Sequence, residues 1–220
     1  MAPGAPFQRA RRPHQKAQRR ALLLDAATRL LDAHGLEAVS LAAVAREARI
    51  TKSNVYRYFE SREAIFLELL LADQTRWVAA LERALAPLHG CDDAGRTGRA
   101  LARTLAAEPR LCALVAALAL VLETNLSDEA VHAFKREVQA QSLRIAGAVQ
   151  GALPSLPAAS LAGLTRALHA LVAGLWPMAH PAPAVRRALA DPELASFRCD
   201  FAADLEAALV ALLRGLAASG

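Results

Sequence analysis

The stretch 49-RITKSNVYRYFESREA-64 decides how this chain is read. Elsewhere the sequence is dominated by Ala and Leu. Here Lys52, Ser53, Asn54, Tyr56, Arg57 and Tyr58 fall within seven positions, and Arg62 follows closely. Val55 and Phe59 are the apolar positions between them. A helix over 52–59 that turns Val55 and Phe59 inward presents Lys52, Ser53, Asn54 and Arg57 outward. That set of donors suits base edges and phosphates of a DNA major groove.

The preceding residues supply a partner for such a helix. Leu23, Ala27, Leu30 and Leu31 lie on one face of a helix over about 15–34, which Gly35 ends. Ser40 is placed to cap a short helix over 41–48, and Thr51 to cap the one over 52–59. Val44, Ala45, Ala48, Ile50 and Val55 would lock the last two together. Helices at about 40–59 joined by so short a turn have helix-turn-helix geometry.

Composition and charge agree. Of 220 residues, 55% are hydrophobic and only 5% aromatic, so helix formers prevail and an all-α fold is expected. Residues 1–62 carry 12 Lys and Arg against 5 Asp and Glu, whereas residues 63–220 carry 14 against 16. A basic head on a near-neutral body points to a polyanion partner. The expected division is a flexible basic arm at 1–14, a DNA-binding domain at 15–62 and a helical domain at 63–220.

The segment 51-TKSNVYRYFESREAIF-66, with 23-LLDAATRLLDAHG-35, Ser40, Val44, Ala45 and Ala48, resembles the TetR family of bacterial transcriptional regulators. The resemblance covers about residues 16–70. It implies that Ser40 binds phosphate, that Lys52, Ser53 and Asn54 reach bases or phosphates, and that Tyr56 and Tyr58 fix the recognition helix on the DNA backbone. Thr51 and Arg57 join this surface, and Arg62 stands where the family usually has Lys. Two positions depart from the family pattern. Arg49 occupies the turn position that usually carries Gly, and Tyr58 stands where His is common. A left-handed backbone at Arg49 would cost about 1 kcal/mol, which a phosphate contact by its side chain would offset.

The resemblance also implies a helical effector-binding and dimerisation domain. A helix over about 157–176 carries Gly163, Ala167, Ala170 and Gly174, small residues that allow close helix approach. The last helix, about 193–217, has an apolar face through Phe201, Leu205, Leu209 and Leu212. These faces are expected to form a dimer seam, the alternative being core within one subunit. Trp77, Cys112, Glu123, His132, His169 and Trp176 are candidates to line an effector pocket for a neutral or hydrophobic small molecule.

No nucleophile motif, zinc motif or phosphate-binding glycine loop occurs, so no enzyme activity is expected. His89, Cys91, Asp92 and Asp93 share one loop but lack a second ligand group at metal spacing, so neither metal nor cofactor is expected. Three scattered cysteines fit a reducing cytoplasm. The opening residues lack a signal-peptide core, and the apolar run 111-LCALVAALALVL-122 is too short to span a bilayer, so no membrane partner is expected.

The expected function is a dimeric, ligand-responsive repressor on a palindromic double-stranded operator. Its alternatives are an activator or architectural DNA binder, or a helical small-molecule carrier or enzyme.

Overall fold

The computed structural model describes residues 7–118 and 126–218, with side chains from residue 15 onward. Every regular element among them is helical. The chain divides into two compact units, first between Leu69 and Leu70, later than the boundary expected at 62, with Ser127 also belonging to the first unit.

The first unit begins with α1 (Phe7–His34), followed by α2 (Leu41–Glu47) and α3 (Lys52–Val55). It ends within α4 (Arg62–Leu85). α1 starts at Phe7 rather than near Gln15, so part of the segment expected as a flexible arm is helical. Leu23, Ala26, Ala27 and Leu31 of α1 pack in a core with Val44, Ala45, Val55, Phe59, Ile65 and Phe66. Gly35 ends α1 at φ 77°, its N–H donating to Leu31 O.

Arg20 is taken up internally. Its Nε donates to Glu68, its Nη1 donates to the Tyr58 carbonyl at 2.7 Å, and its guanidinium lies 4.3 Å from the Phe59 ring centroid. Arg20 therefore clamps α1 to the end of the recognition segment.

The turn after α2 closes through a left-handed residue. Arg49 N–H donates to Arg46 O, and Ile50 N–H donates to Ala45 O. This pair of bonds is the Schellman helix ending, which places the residue just before its last one in the left-handed region. Arg49 accordingly has φ 56°. Glycine adopts this backbone without steric cost, although it loses more entropy on folding. Arg49→Gly is expected to stabilise the head by about 0.5–1 kcal/mol, read from urea unfolding. No gain would mean that the Arg49 side chain offsets its backbone.

The second unit holds the rest of α4 and α5 (Ala94–Ala106), α6 (Pro109–Ala117), α7 (Asp128–Ala152), α8 (Leu161–Ala179), α9 (Pro183–Ala188) and α10 (Phe201–Ala218). α5 begins at Ala94, inside the stretch expected as a loop, because Asp93 accepts a capping bond from Arg96 N–H at 2.9 Å. Asp92, at φ 52°, accepts from both the N–H and Oγ of Ser155, which lowers its pKa below the usual carboxylate range. The acidic residues of that loop thus serve as caps.

α8 runs through Pro177, where a stop was expected. The lost backbone donor is tolerated in a last turn held by aromatic packing: Trp176 stacks on His180 at 3.8 Å and meets the Phe201 ring edge at 5.0 Å. The last helix, expected over about 193–217, starts only at Phe201, because α9 and a short 3-10 turn at Pro192–Phe197 come before it.

α5 and α10 lie in close contact through Gly98. A Cβ there would stand 2.8 Å from Val210 Cγ2 and 3.0 Å from the Val210 backbone nitrogen. Gly98→Ala should therefore push α10 outward and lower stability by a net ~1–2 kcal/mol despite its better helix propensity. Adding Val210→Ala should recover only part of that loss, because the backbone approach remains. Equal or higher stability of Gly98→Ala would contradict this packing.

Candidate nucleic-acid interface and ligand cavity

α3 is shorter than expected: regular helix covers only Lys52–Val55, and tighter turns continue to Phe59. Tyr58 N–H and Phe59 N–H both donate to Val55 O. Val55 and Phe59 are buried, which turns the polar residues outward. Ser40, Arg49, Thr51, Lys52, Ser53, Tyr56 and Arg57 are exposed, and Asn54, Tyr58 and Arg62 are half-buried. Tyr56 retains 53% of its surface. Lys52 Nζ lies 5.8 Å from its ring centroid, so a cation and a phenol share one side of the turn.

A surface cleft of about 410 Å³ joins four of the expected contacts to new ones. Ser40, Leu41 and Ala42 open α2 on one side, Ser61, Arg62 and Glu63 open α4 on the other, and Lys52 and Tyr56 lie between. Ser40 Oγ accepts from Ala43 N–H and Ser61 Oγ from Ala64 N–H, both at 3.1 Å, so each hydroxyl keeps its own hydrogen to donate. First-turn amides, positive helix ends and a lysine converge where a phosphate would be favoured. Arg62 is engaged by the buried carboxylate of Glu63 at 2.9 Å. The sequence reading missed Ser61 as a member of this cleft, although its place three residues before a backbone amide is the same capping signal as at Ser40.

The second unit contains a cavity of about 500 Å³. α4 contributes Gln74 and Trp77, α6 Leu111 and Val115, α7 Phe134, Val138, Ser142 and Ile145, and α8 Thr165, Leu168 and Val172. Lys135, Arg166 and His169 also border it. Of the expected lining residues, Trp77 and His169 are there. Cys112 is buried beside it, with Sγ 3.4 Å from Leu105 O, and burial pushes its thiol up to about 12. His132 is exposed on α7 away from the cavity, and Trp176 packs at the far end of α8. Glu123 lies outside the described residues. Gln74, Phe134 and Ser142 were missed because amphipathic spacing marks an inward face without saying which inward residues meet a void.

The expected dimer residues divide sharply. Phe201, Leu205 and Leu209 of α10 are buried within the chain itself, against α5 and α8, and Leu212 is half-buried. Phe201, Leu205 and Leu209 are intramolecular core, which corrects their assignment to a seam. On α8, Gly163 and Ala167 are half-buried, and Ala170 and Gly174 are exposed. The stretch Ala158–Ala179 is long and apolar enough for a membrane span by length and composition, with mean hydropathy 1.3, yet the chain buries only 17% of it.

A basic helix-turn-helix unit and a helical unit with an apolar cavity, carried on one chain, define a ligand-binding DNA-binding protein. Comparison with known proteins makes the assignment specific. Residues 23–69 match the family described as bacterial regulatory proteins, tetR family, and residues 71–220 match the tetracyclin repressor-like C-terminal domain. The chain belongs to the TetR family of transcriptional regulators. No curated protein matches it in sequence.

Solved structures share the fold at low identity. The fatty acid degradation regulator FadR from Bacillus halodurans is 16% identical, with 90% of this chain and 95% of that one covered at a TM-score of 0.54. A transcriptional regulator from Rhodococcus is 20% identical, with 91% and 96% covered and a TM-score of 0.57. The TetR family regulator PfmR from Thermus thermophilus is 20% identical, with 89% and 95% covered and a TM-score of 0.53.

Proposed function

We propose that this regulator is a cytoplasmic homodimeric repressor, released from a palindromic operator by a small apolar effector. The observation that carries the reading is one chain holding both an exposed donor surface at 49–62 and an apolar cavity of about 500 Å³. A cavity of that size suits a drug-sized molecule. Lys52, Ser53, Asn54 and Arg57 read or approach bases, while Ser40, Arg49, Thr51, Tyr56, Tyr58 and Arg62 hold phosphates.

Dimerisation is supported by α8. An apolar helix so little buried by its own chain needs a cover, and Ala170 and Gly174 let a partner helix approach closely. A two-fold protein in turn fits a two-fold operator. The chain first passes between its units within α4, which makes this helix a covalent link from cavity to recognition segment. Effector binding favours the state in which the spacing of two recognition helices no longer fits successive grooves.

The test is a titration of the full chain on DNA flanking its own coding region, against random DNA of equal length, at several salt concentrations. Selective binding that weakens steeply with salt is expected. Equal binding to both DNAs would demote the protein to an architectural binder, and a fall in promoter output on deletion would make it an activator.

A further inference from the structure

We infer that the cavity takes an apolar molecule bearing one hydrogen-bond donor, a hydroxyl or an N–H, which Gln74 Oε1 accepts. The inference rests on the effector-cavity reading above and narrows it to a ligand class. It follows from what the polar lining still has to offer. Trp77 Nε1 already donates to Thr104 Oγ1 at 3.1 Å. Ser142 Oγ donates to Val138 O at 2.8 Å, and Thr165 Oγ1 donates to Ala162 O at 3.1 Å. Their hydrogens are spent on the protein, so the two hydroxyls turn only lone pairs outward. Gln74 Oε1 is buried and has no hydrogen-bond partner at all.

A buried amide oxygen without a donor is rare and destabilising. Gln74 lines the cavity, so a donor on a ligand there can reach this oxygen, the amide nitrogen being the one donor Gln74 itself brings. Lys135, Arg166 and His169 are exposed, and water already competes for their donors. The protected part of the lining is therefore rich in acceptors and poor in donors. An apolar ligand with a donor satisfies it, whereas one whose only polar atom is an acceptor does not.

Decanol and methyl nonyl ether make a matched pair of probes. They are isomers with the same heavy atoms, and only the alcohol has a donor. Calorimetric titration of the full chain should show decanol binding about tenfold tighter than the ether. In Gln74→Leu the preference should vanish or reverse, since the hydroxyl is then desolvated without a partner. Without ligand, Gln74→Leu should melt at or above the wild-type temperature, which also shows that it folds. Equal or tighter binding of the ether to the wild type overturns the inference, and so does a preference that survives Gln74→Leu. The wild-type comparison stands without the variant. Binding of neither probe overturns the inference together with the cavity reading beneath it, whereas binding of both without discrimination overturns the role of Gln74 alone.

Discussion

Asp73→Ala is expected to lower the stability of the C-terminal unit by about 3–5 kcal/mol, the largest single-residue loss in that unit. Asp73 retains 1% of its surface. Its two oxygens take a two-pronged contact from Arg110, Nε to Oδ2 at 2.7 Å and Nη2 to Oδ1 at 2.8 Å. Arg76 Nη2 adds a bond to Oδ1 at 2.8 Å and another to Glu108 at 3.0 Å, and the Glu108 bond is the main reason that the Arg76 pKa is raised. Removing the carboxylate takes from Arg110, a largely buried cation, its two-pronged contact. Such a charge costs far more than an exposed ion pair contributes. Breaking the more exposed pair of Arg144 with Glu82 should cost far less. Urea unfolding of the two variants measures the contrast. Similar small losses would mean that Arg110 finds solvent as easily as Arg144 does. An apolar pair, Asp73→Leu with Arg110→Met, should recover most of the loss, because no buried charge is then left alone.

The triple variant Lys52→Ala, Asn54→Ala, Arg57→Ala should bind its operator weaker by on the order of a thousandfold, taking roughly 1–3 kcal/mol for each good base contact. Its fold should be intact. Lys52 and Arg57 are exposed and Asn54 is half-buried, whereas the residues that hold the segment are Val55 and Phe59. The salt dependence separates the roles. A side chain that meets only phosphate lowers the slope of log affinity against log salt by about 0.9 when removed and weakens all sequences alike. One that meets a base changes which sequence is preferred. Single substitutions across Lys52, Asn54 and Arg57 should therefore sort into these two patterns. Unchanged affinity in the triple variant, with an unchanged melting temperature, would remove this segment from the DNA surface.

The head was largely legible in the sequence. Its caps, Ser40 and Ser61, act on amides three residues later, so they are local features with a local signature. Val55 and Phe59 fix which side of a short helix faces inward, and the polar residues between them must then face out. The odd arginine at the turn was legible too, since the position demands a left-handed backbone whatever residue stands there.

The C-terminal unit was legible only as helices. Phe201, Leu205 and Leu209 are an apolar stripe on α10, and a stripe has the same spacing whether it meets its own α5 or a second subunit. Only the assembled chain shows that α5, with Gly98 at Val210, already occupies it. The same limit applies to the cavity. His132 and His169 both sit in helices, yet one borders the void and the other does not. The sequence by itself determined the all-helical class, the helix-turn-helix and its outward donors, because periodicity and capping act within a few residues. The tertiary structure alone decided which apolar faces are used up inside the subunit, that Arg20 is a clamp, and that Gln74 stands at a void without a donor. Those outcomes depend on which helices meet, and that is set by packing among residues far apart in the chain.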